Sequence, residues 1–446
     1  IFLKKNKIKY FPRYHFKNFI NGWRAYPVDT VMLLSSQFCF SNLRFPSPLA
    51  KPIAIRRFPC KATLITDPSS FEVGKLIGSY GFMNVTSYRS GKDVECSPKD
   101  LEALKLQDVG EGSVKIRLYE GRIAQGPLKQ TPVTFKVYPG QKAGGEEADR
   151  MAANELSAHL SLQSDSKELC PNLVSLVGGF ETITGEQWLA FRDHGQFSAA
   201  DYAKFASDRV SKQRNSGWNR MEFEQSIRRR RYFVTKLMRG AISGLTFMHD
   251  RHRLHQSLGP FSVSLKYPLS QALSAKIQIV GSSLCSSMAE KDANFLVPRL
   301  RDLAFSVDVK VSSIENEPGL FSEGLWRRAV NAGAYSTVEK RAFGFADDIY
   351  EAALLLAYLA FVPFCETGST DNLSLQRVIE STFQLDLDAA REYFLADDRF
   401  EEAVKFLDLG DKAGWQLLQA MLNPDFRQRP IAEAVLNHRF LTGAVL

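Results

Sequence analysis

The strongest constraint on the fold is a change of hydrophobic period along the chain. Residues 71–138 contain short β-rich or alternating runs, namely FEVGKLIG, NVTSY, VKIRLY and PVTFKVY, punctuated by Gly and Pro. Such runs predict a small antiparallel sheet. From Phe197 onward helical patterns dominate, and the clearest forms one apolar face from Val234, Met238, Ala241, Leu245 and Met248. A β-rich unit followed by a larger helical unit predicts an α+β, bilobal architecture.

The net charge of the chain is concentrated at one end. The formal charge is +8 for 446 residues, yet residues 1–66 hold 12 Lys or Arg and one acid, Asp29. That segment carries +11 and the remaining residues carry −3, so the basic pI does not indicate a nucleic-acid partner. The basic run Arg228–Arg231 lacks interleaved aromatics and predicts a solvated charged turn rather than a site for phosphate or anionic lipid.

The basic leader divides into two pieces at Met32. Residues 32–62 contain Ser, Arg and Pro but no acid, which is typical of an organelle transit peptide, with a plastid favoured over a mitochondrion. A basic tail without a targeting role is the alternative. Residues 1–31 precede the first Met and are interpreted as an extension or a fragment.

Two further observations concern the environment of the chain. The 14-residue apolar run Ala352–Cys365 is too short to span a bilayer, so it predicts a buried core helix and no transmembrane segment. The six cysteines are scattered without a CxxC pair, which favours a reduced compartment over a disulfide framework or a metal cluster.

Four segments, in order along the chain, resemble the eukaryotic protein kinase family over about residues 71–442. They are CPNLVSLVGGF, FVTKLMRGAISGLTFMHDRHRLHQ, FADDIYEAALLLAYLAF and LLQAMLNPDFRQRPIAEAVLNHRFL. The resemblance implies a small lobe at 67–192, with an insertion at about 89–130, and a large lobe at 193–446. It also implies ATP as cofactor, together with Mg²⁺, although the substitutions described below put the metal in doubt.

In the resemblance, Lys136 of PVTFKVY lies at the position of the family's strand lysine, and Glu155 of ANELSAHLSL is its partner on the following helix. Two segments compete for the phosphate loop. FEVGKLIGSYGFMNV is favoured and offers Gly78 and Gly81, whereas VGEGSVKIRLYEG offers Gly110 and Gly112. Glycine is suited to such a loop because a backbone without Cβ approaches phosphate closely.

The segment His255–Val263 is similar to the family's catalytic loop, but the reactive positions differ. Ser257 replaces the catalytic acid, Gly259 the phosphate-contacting lysine, and Ser262 the metal-binding amide. A serine has no accessible conjugate base near neutral pH, so general-base catalysis worth about 10²–10⁴-fold is lost.

Two segments compete for the acid that binds metal in the family. AKIQIVGSSL puts Ile279 at that position, 17 residues after Ser262, whereas RDLAFS retains an acid at Asp302 but lies 40 residues after Ser262. The spacing favours Ile279, which leaves no metal ligand. Asp302 is then expected to be an ordinary loop acid.

The sequence therefore predicts a kinase-like, catalytically impaired pseudokinase that binds nucleotide through Lys136 and Glu155 and acts as a plastid scaffold or regulator of an unidentified protein partner. One alternative is an atypical active Ser/Thr kinase that uses Asp302 as metal ligand and another acid, such as Asp250, as base. Another is an adaptor at a lipid or membrane surface, since the organisation is similar to plant plastid proteins in which a kinase-like region precedes a fibrillin-type domain.

Overall fold

The computed structural model describes residues 64–82, 114–164, 169–192, 197–215, 220–266, 293, 296–316 and 321–444. The predictions for residues 1–31 and 32–62, and that for Ile279, lie outside these ranges. The described strands are β1 (Phe71–Phe82), β2 (Val114–Ile123), β3 (Pro132–Tyr138), β4 (Leu176–Glu181), β5 (Gln187–Arg192), β6 (Phe197–Ser198), β7 (Arg253–Leu254), β8 (Val263–Lys266), β9 (Val297–Leu300) and β10 (Val307–Asp308).

Most of the described helices lie in the second half of the chain. They are α1 (Gln141–Ser164), α2 (Ala199–Asn215), α3 (Arg220–Asp250), α4 (Val311–Asn316), α5 (Glu323–Asn331), α6 (Thr337–Phe361), α7 (Asn372–Arg377), α8 (Leu387–Leu395), α9 (Glu401–Leu407), α10 (Leu409–Met421) and α11 (Ala432–Leu436). The predicted α+β, bilobal class is confirmed, with an antiparallel sheet lobe followed by a helical region.

The sheet lobe contains five antiparallel strands in the order β1-β2-β3-β5-β4, with α1 packed against it. Its core is aromatic: Phe135 of β3 lies edge-on to Phe71 at 5.4 Å between ring centroids and to Trp188 at 5.6 Å. This alternation of inward apolar residues along β3 is what the PVTFKVY run predicts. It leaves Lys136 on the opposite face of the strand from Phe135.

The predicted insertion at 89–130 is wrong over its second part. Residues 114–123 form β2, which pairs with β1 on one side and β3 on the other, and 124–131 make the turn into β3. The alternation in VKIRLY indicates a strand, and the spacing expected from the family is misleading here. As a strand, β2 pairs with both neighbouring strands and stabilises the sheet through cross-strand contacts. Residues 89–113 lie outside the described ranges.

The helical lobe is organised around α3 and α6. All five residues of the predicted apolar face of α3 are at most 1% exposed, and burial of each larger side chain stabilises the fold by about 1.5–3 kcal/mol. Helix α6 begins at a capping box, in which the Ser336 side chain accepts from the Glu339 N–H and Glu339 accepts from the Ser336 N–H.

The apolar run Ala352–Cys365 forms the end of α6 and the turn after it, and most of it is buried in the main core. Within the described ranges, no helix combines the length and apolarity needed to cross a bilayer.

The basic run Arg228–Arg231 is not a solvated turn as predicted. It lies within α3, where Arg230 is fully buried and its Nη1 donates to the Pro363 carbonyl at 2.7 Å. Arg231 pairs with Glu402 at 3.3 Å. The helical period turns adjacent arginines to different faces, so a run of like charges in sequence is not one surface patch.

Candidate functional site

Lys136 lies in the middle of the sheet, between Leu118 on β2 and Leu189 on β5. Its side chain is only 4% exposed, and Nζ lies 2.7 Å from Oε2 of Glu155 on α1. The two residues that the sequence pairs are therefore in contact. A buried pair of this kind is retained only where further hydrogen bonds satisfy both groups.

Glu155 has those further bonds. The Tyr138 hydroxyl donates to Oε2, and the Leu303 N–H donates to Oε1 at 3.2 Å. At the preceding position on the same helix, the Asn154 amide donates to the carbonyls of Ala304 and Ser306. Helix α1 is thus tied both to β3 and to the segment that follows Asp302.

Asp302 is the third member of this buried group. Its Oδ1 lies 2.9 Å from Lys136 Nζ, and its side chain is 4% exposed. The backbone at Asp302 is left-handed, with φ 69° and ψ 56°, a conformation that non-glycine residues seldom adopt and that is often found at functional sites. The expectation that Asp302 is an ordinary loop acid is wrong.

The hairpin formed by β8 and β9 explains why Asp302 reaches the site although it is far from Ser262 along the chain. Val263 pairs with Leu300 and Lys266 with Val297, so residues far apart in sequence are cross-strand neighbours. The connection 267–296 lengthens the count from Ser262 to Asp302 without moving the two apart in the sheet. Counting residues from Ser262 therefore favoured Ile279, whereas strand pairing brings Asp302 to Lys136.

Arg301 precedes Asp302 and crosses the loop 255–262. Its Nε donates to the Phe261 carbonyl at 2.8 Å and lies 3.3 Å from Asp302 Oδ2. Its backbone N–H donates to the Ser262 carbonyl. Both carboxylate oxygens of Asp302 therefore face a cation.

The backbone of the loop 255–262 is hydrogen-bonded to side chains of α6. The N–H groups of His255 and Gln256 donate to the two oxygens of Asp348 at 2.8 and 2.9 Å. His255 Nε2 donates to the Arg301 carbonyl, and its Nδ1 accepts from the Ser257 N–H. Burial lowers the pKa of His255 and keeps the ring neutral, in the tautomer that these bonds require.

The hydroxyls that replace the reactive groups are engaged with backbone. The Ser257 Oγ donates to the Asp302 carbonyl at 3.0 Å, and the Ser262 Oγ donates to the Gly259 carbonyl at 2.8 Å. These bonds hold the loop in shape. They provide no group that accepts a proton near neutral pH.

A second carboxylate from α6 also supports the loop. Glu351 is buried and accepts from the Leu258 N–H at 3.0 Å. Burial, reinforced by the nearby carboxylates of Asp347 and Asp348, raises the pKa of Glu351 to about 8. Arg328 pairs with Asp347 in the same cluster.

A cleft with about 470 Å³ of empty space opens between the sheet lobe and the β8–β9 region, which contributes Ser264, Arg301 and Asp302. Its lining combines apolar residues with charged ones, and comprises Leu118, Thr134, Lys136, Glu155, His159, Val174, Phe191, Arg192, Ser264, Arg301 and Asp302. A mainly apolar cleft with a few convergent polar groups is the usual form of a small-molecule site.

His159 lies one turn beyond Glu155 and is fully buried. Neither ring nitrogen has a hydrogen-bond partner in the described part of the chain, and the ring is edge-on to Phe191. Burial, reinforced by Lys136, lowers the pKa of His159 to about 3, so the imidazole is neutral. A buried polar group without a partner raises the free energy of the fold unless a ligand or water binds it.

The predicted phosphate-loop glycines lie in strand β1. Gly78 is opposite Leu118 and Gly81 is opposite Lys115 on β2, so both are in the sheet ladder and not in a turn. A Cβ at Gly78 would meet nothing within 4 Å. The competing glycines, Gly110 and Gly112, lie outside the described residues.

Comparison with known proteins gives a likeness of fold and no family assignment. No family model matches the chain, and no curated protein matches it. Among solved structures it is similar to a crystal structure of a Stt7 homolog from Micromonas algae soaked with ATP, at 16% identity and a TM-score of 0.46. The match covers 89% of this chain and 97% of that one. A likeness of this size carries no functional argument, so the site is interpreted from its own geometry.

Two cleft residues were not predicted from the sequence. His159 shares a helical face with Glu155, and that spacing of four was the available signal. Arg301 stands next to an acid in RDLAFS, but nothing local shows that its guanidinium turns back onto Asp302.

Proposed function

We propose that the chain is a kinase-like protein that binds a nucleotide in this cleft and regulates or scaffolds other proteins without transferring phosphate. The observation that carries the proposal is that the charged groups suited to a nucleotide are present, whereas the acid needed for phosphate transfer is absent from the position of Ser257. Lys136, Glu155 and Asp302 form a buried charged group at the cleft, while the acid position holds Ser257, whose hydroxyl is bonded to backbone.

The cleft suits a nucleotide in chemical terms. Leu118, Val174 and Phe191 offer apolar surface for a planar base, and Lys136 offers a cation for phosphate. His159 is in the same lining, and its two nitrogens, which have no hydrogen-bond partner among the described residues, suit a ligand that carries hydrogen-bonding groups.

The test combines binding and transfer on the full chain. ATP is expected to raise the melting temperature, since a ligand that binds only the folded state stabilises it. Thr134→Trp, which places a large ring in the cleft, should remove the shift. Transfer of labelled γ-phosphate to the chain itself or to a generic protein substrate should equal that of Lys136→Arg. Transfer by the wild type that Lys136→Arg lacks would overturn the proposal.

An atypical active kinase is the second candidate, because Asp302 lies in the site next to Lys136. Its proposed replacement base, Asp250, is exposed at the end of α3 and does not line the cleft. If this candidate is correct, Asp302→Asn abolishes a measurable transfer activity. A role at a lipid or membrane surface stays a prediction, since it derives from the sequence organisation alone.

Action in a plastid is part of the proposal and derives from the leader composition. A reporter fused to residues 32–62 should enter isolated plastids and be protected from added protease. A reporter that stays accessible to protease would contradict the plastid location without affecting the nucleotide site.

A further inference from the structure

The charges around Asp302 leave little attraction for a divalent cation. Lys136 lies 2.9 Å from one carboxylate oxygen and Arg301 lies 3.3 Å from the other. Mg²⁺ requires near-octahedral oxygen ligands at about 2.0–2.1 Å and normally binds one or two carboxylates. At Asp302 it would meet two cations already in contact with the carboxylate oxygens, and the second carboxylate of the site, Glu155, is itself paired with Lys136.

The other ligand positions do not compensate for this. Ser262, which stands at the amide position, donates its hydroxyl to the Gly259 carbonyl and accepts from the Gly259 N–H. Ser257 donates to the Asp302 carbonyl. Within the described ranges, no group of three His, Cys, Asp or Glu side chains converges as a metal-ligand set. The residues present do not fit the Mg²⁺ that the kinase-like fold implies.

Arg301 is held rigidly at this place and still has donors to offer. Its Nε bonds to the Phe261 carbonyl, its N–H to the Ser262 carbonyl, and its own carbonyl to His255 Nε2. Its two terminal nitrogens make no hydrogen bond to any described residue, and its side chain is 23% exposed in the cleft lining. A guanidinium with both terminal nitrogens available suits bidentate binding of phosphate.

We infer that the Arg301 guanidinium takes the place of the divalent cation, so that Arg301 and Lys136 bind the phosphates of a nucleotide without metal. The inference rests on the proposed nucleotide site and specifies how that site neutralises its ligand. A fixed guanidinium neutralises one phosphate charge without requiring free carboxylate ligands, and both carboxylates of the described site are already paired with Lys136 or Arg301.

The test measures ATP binding to the full chain by calorimetry, in EDTA and in excess Mg²⁺. The wild-type dissociation constant should agree within about threefold between the two conditions. Arg301→Ala should weaken binding in EDTA by about 10–100-fold, since a hydrogen bond to a charged group contributes about 1.5–3 kcal/mol. Added Mg²⁺ should recover part of that loss, because the substitution releases one oxygen of Asp302.

Two further variants control the test. Arg150→Ala removes the same charge from an exposed position on α1 and should bind ATP as the wild type does in both conditions. Arg301→Lys keeps the charge without the fork, and should bind with intermediate affinity and little metal dependence. This variant also covers the outcome in which Arg301→Ala does not fold.

The outcomes separate the two proposals. Wild-type binding that requires Mg²⁺, or Arg301→Ala binding that equals wild type in EDTA, overturns the role of Arg301 and leaves the nucleotide site in place. Absence of ATP binding in both conditions overturns the nucleotide site itself, and the role of Arg301 with it.

Discussion

One region, called here the sheet side because two of its members lie on β3 and α1, contains Lys136, Glu155 and Asp302, whose opposite charges contact one another and are almost fully removed from water. The other region, called the loop side, is the loop 255–262, where the Ser257 and Ser262 hydroxyls bond to backbone atoms. Charged groups in low dielectric are costly unless paired, whereas neutral hydroxyls bonded to a carbonyl are not. The comparison shows that the cleft retains buried, paired charges, whereas the loop 255–262 retains only hydrogen bonds that maintain its backbone conformation.

The sheet side should be the more sensitive to loss of a single group. Lys136→Ala leaves the Glu155 and Asp302 carboxylates buried without their shared cation, and is expected to lower the free energy of unfolding by about 3–5 kcal/mol. Urea unfolding followed by circular dichroism measures this. Lys75→Ala, which removes an exposed partner of Glu120, should cost less than about 0.5 kcal/mol. Equal urea midpoints for the two variants would show that the buried carboxylates do not depend on the Lys136 cation.

The loop side should respond to pH through Glu351, which supports the Leu258 N–H. Burial raises the pKa of Glu351 from 4.5 to about 8, so the folded state holds a proton that the unfolded state releases between these values. The contribution is therefore complete below pH 4.5 and is lost as the pH rises through about 8.

Glu351→Gln keeps the size and shape of the side chain but removes its ionisable carboxyl group. Its stability relative to wild type is expected to rise by on the order of 3 kcal/mol between pH 5 and pH 8, measured by unfolding at both values. Glu392→Gln is the matched control, since Glu392 is exposed beside Arg391. A stability difference that does not change with pH would show that Glu351 ionises in the folded state as it does in water.

The smallest expected effect is a gain in stability on the sheet side. His159→Leu replaces a buried ring whose nitrogens have no partner among the described residues, and is expected to stabilise the fold by about 1–2 kcal/mol at pH 7.5. The pKa of His159 falls from 6.5 to about 3 because of burial. The unfolded state therefore binds the extra proton, and wild-type stability falls as the pH drops below 6.5.

The advantage of His159→Leu should accordingly be larger at pH 5 than at pH 7.5, which thermal melts at the two values measure. A variant that is less stable than wild type at both values would show that a water molecule or ligand already satisfies the ring.

The features that sequence predicted well are those set by local period. The apolar face of α3 follows from a spacing of three and four, and the buried end of α6 follows from the apolar run Ala352–Cys365. The contact between Lys136 and Glu155 was implied by the family resemblance, which places a lysine on that strand and its glutamate partner on the following helix.

The features that sequence predicted wrongly depend on segments that meet from a distance. Arg230 is buried against the Pro363 carbonyl, 133 residues away in sequence. The predicted insertion extends over β2 because its bounds follow the spacing of the resembling family, although the VKIRLY run itself indicates a strand that pairs with β1 and β3. Asp302 does not fit the expected spacing because it lies 40 residues after Ser262 along the chain, yet the β8–β9 hairpin brings the two segments together.

The amino-acid sequence alone predicts the order of sheet and helical lobe, because that order follows from residue type and local hydrophobic period. The Lys136 and Glu155 pair and the replacement of an acid by Ser257 are implied by the family resemblance of the local motifs. The tertiary structure is needed to show that Asp302 contacts Lys136, that Arg301 contacts the other Asp302 oxygen, and that His159 is buried without a hydrogen-bond partner among the described residues. Strand pairing and burial in a shared core bring together groups such as Lys136 and Asp302, which lie 166 residues apart, and no local spacing encodes which groups will meet.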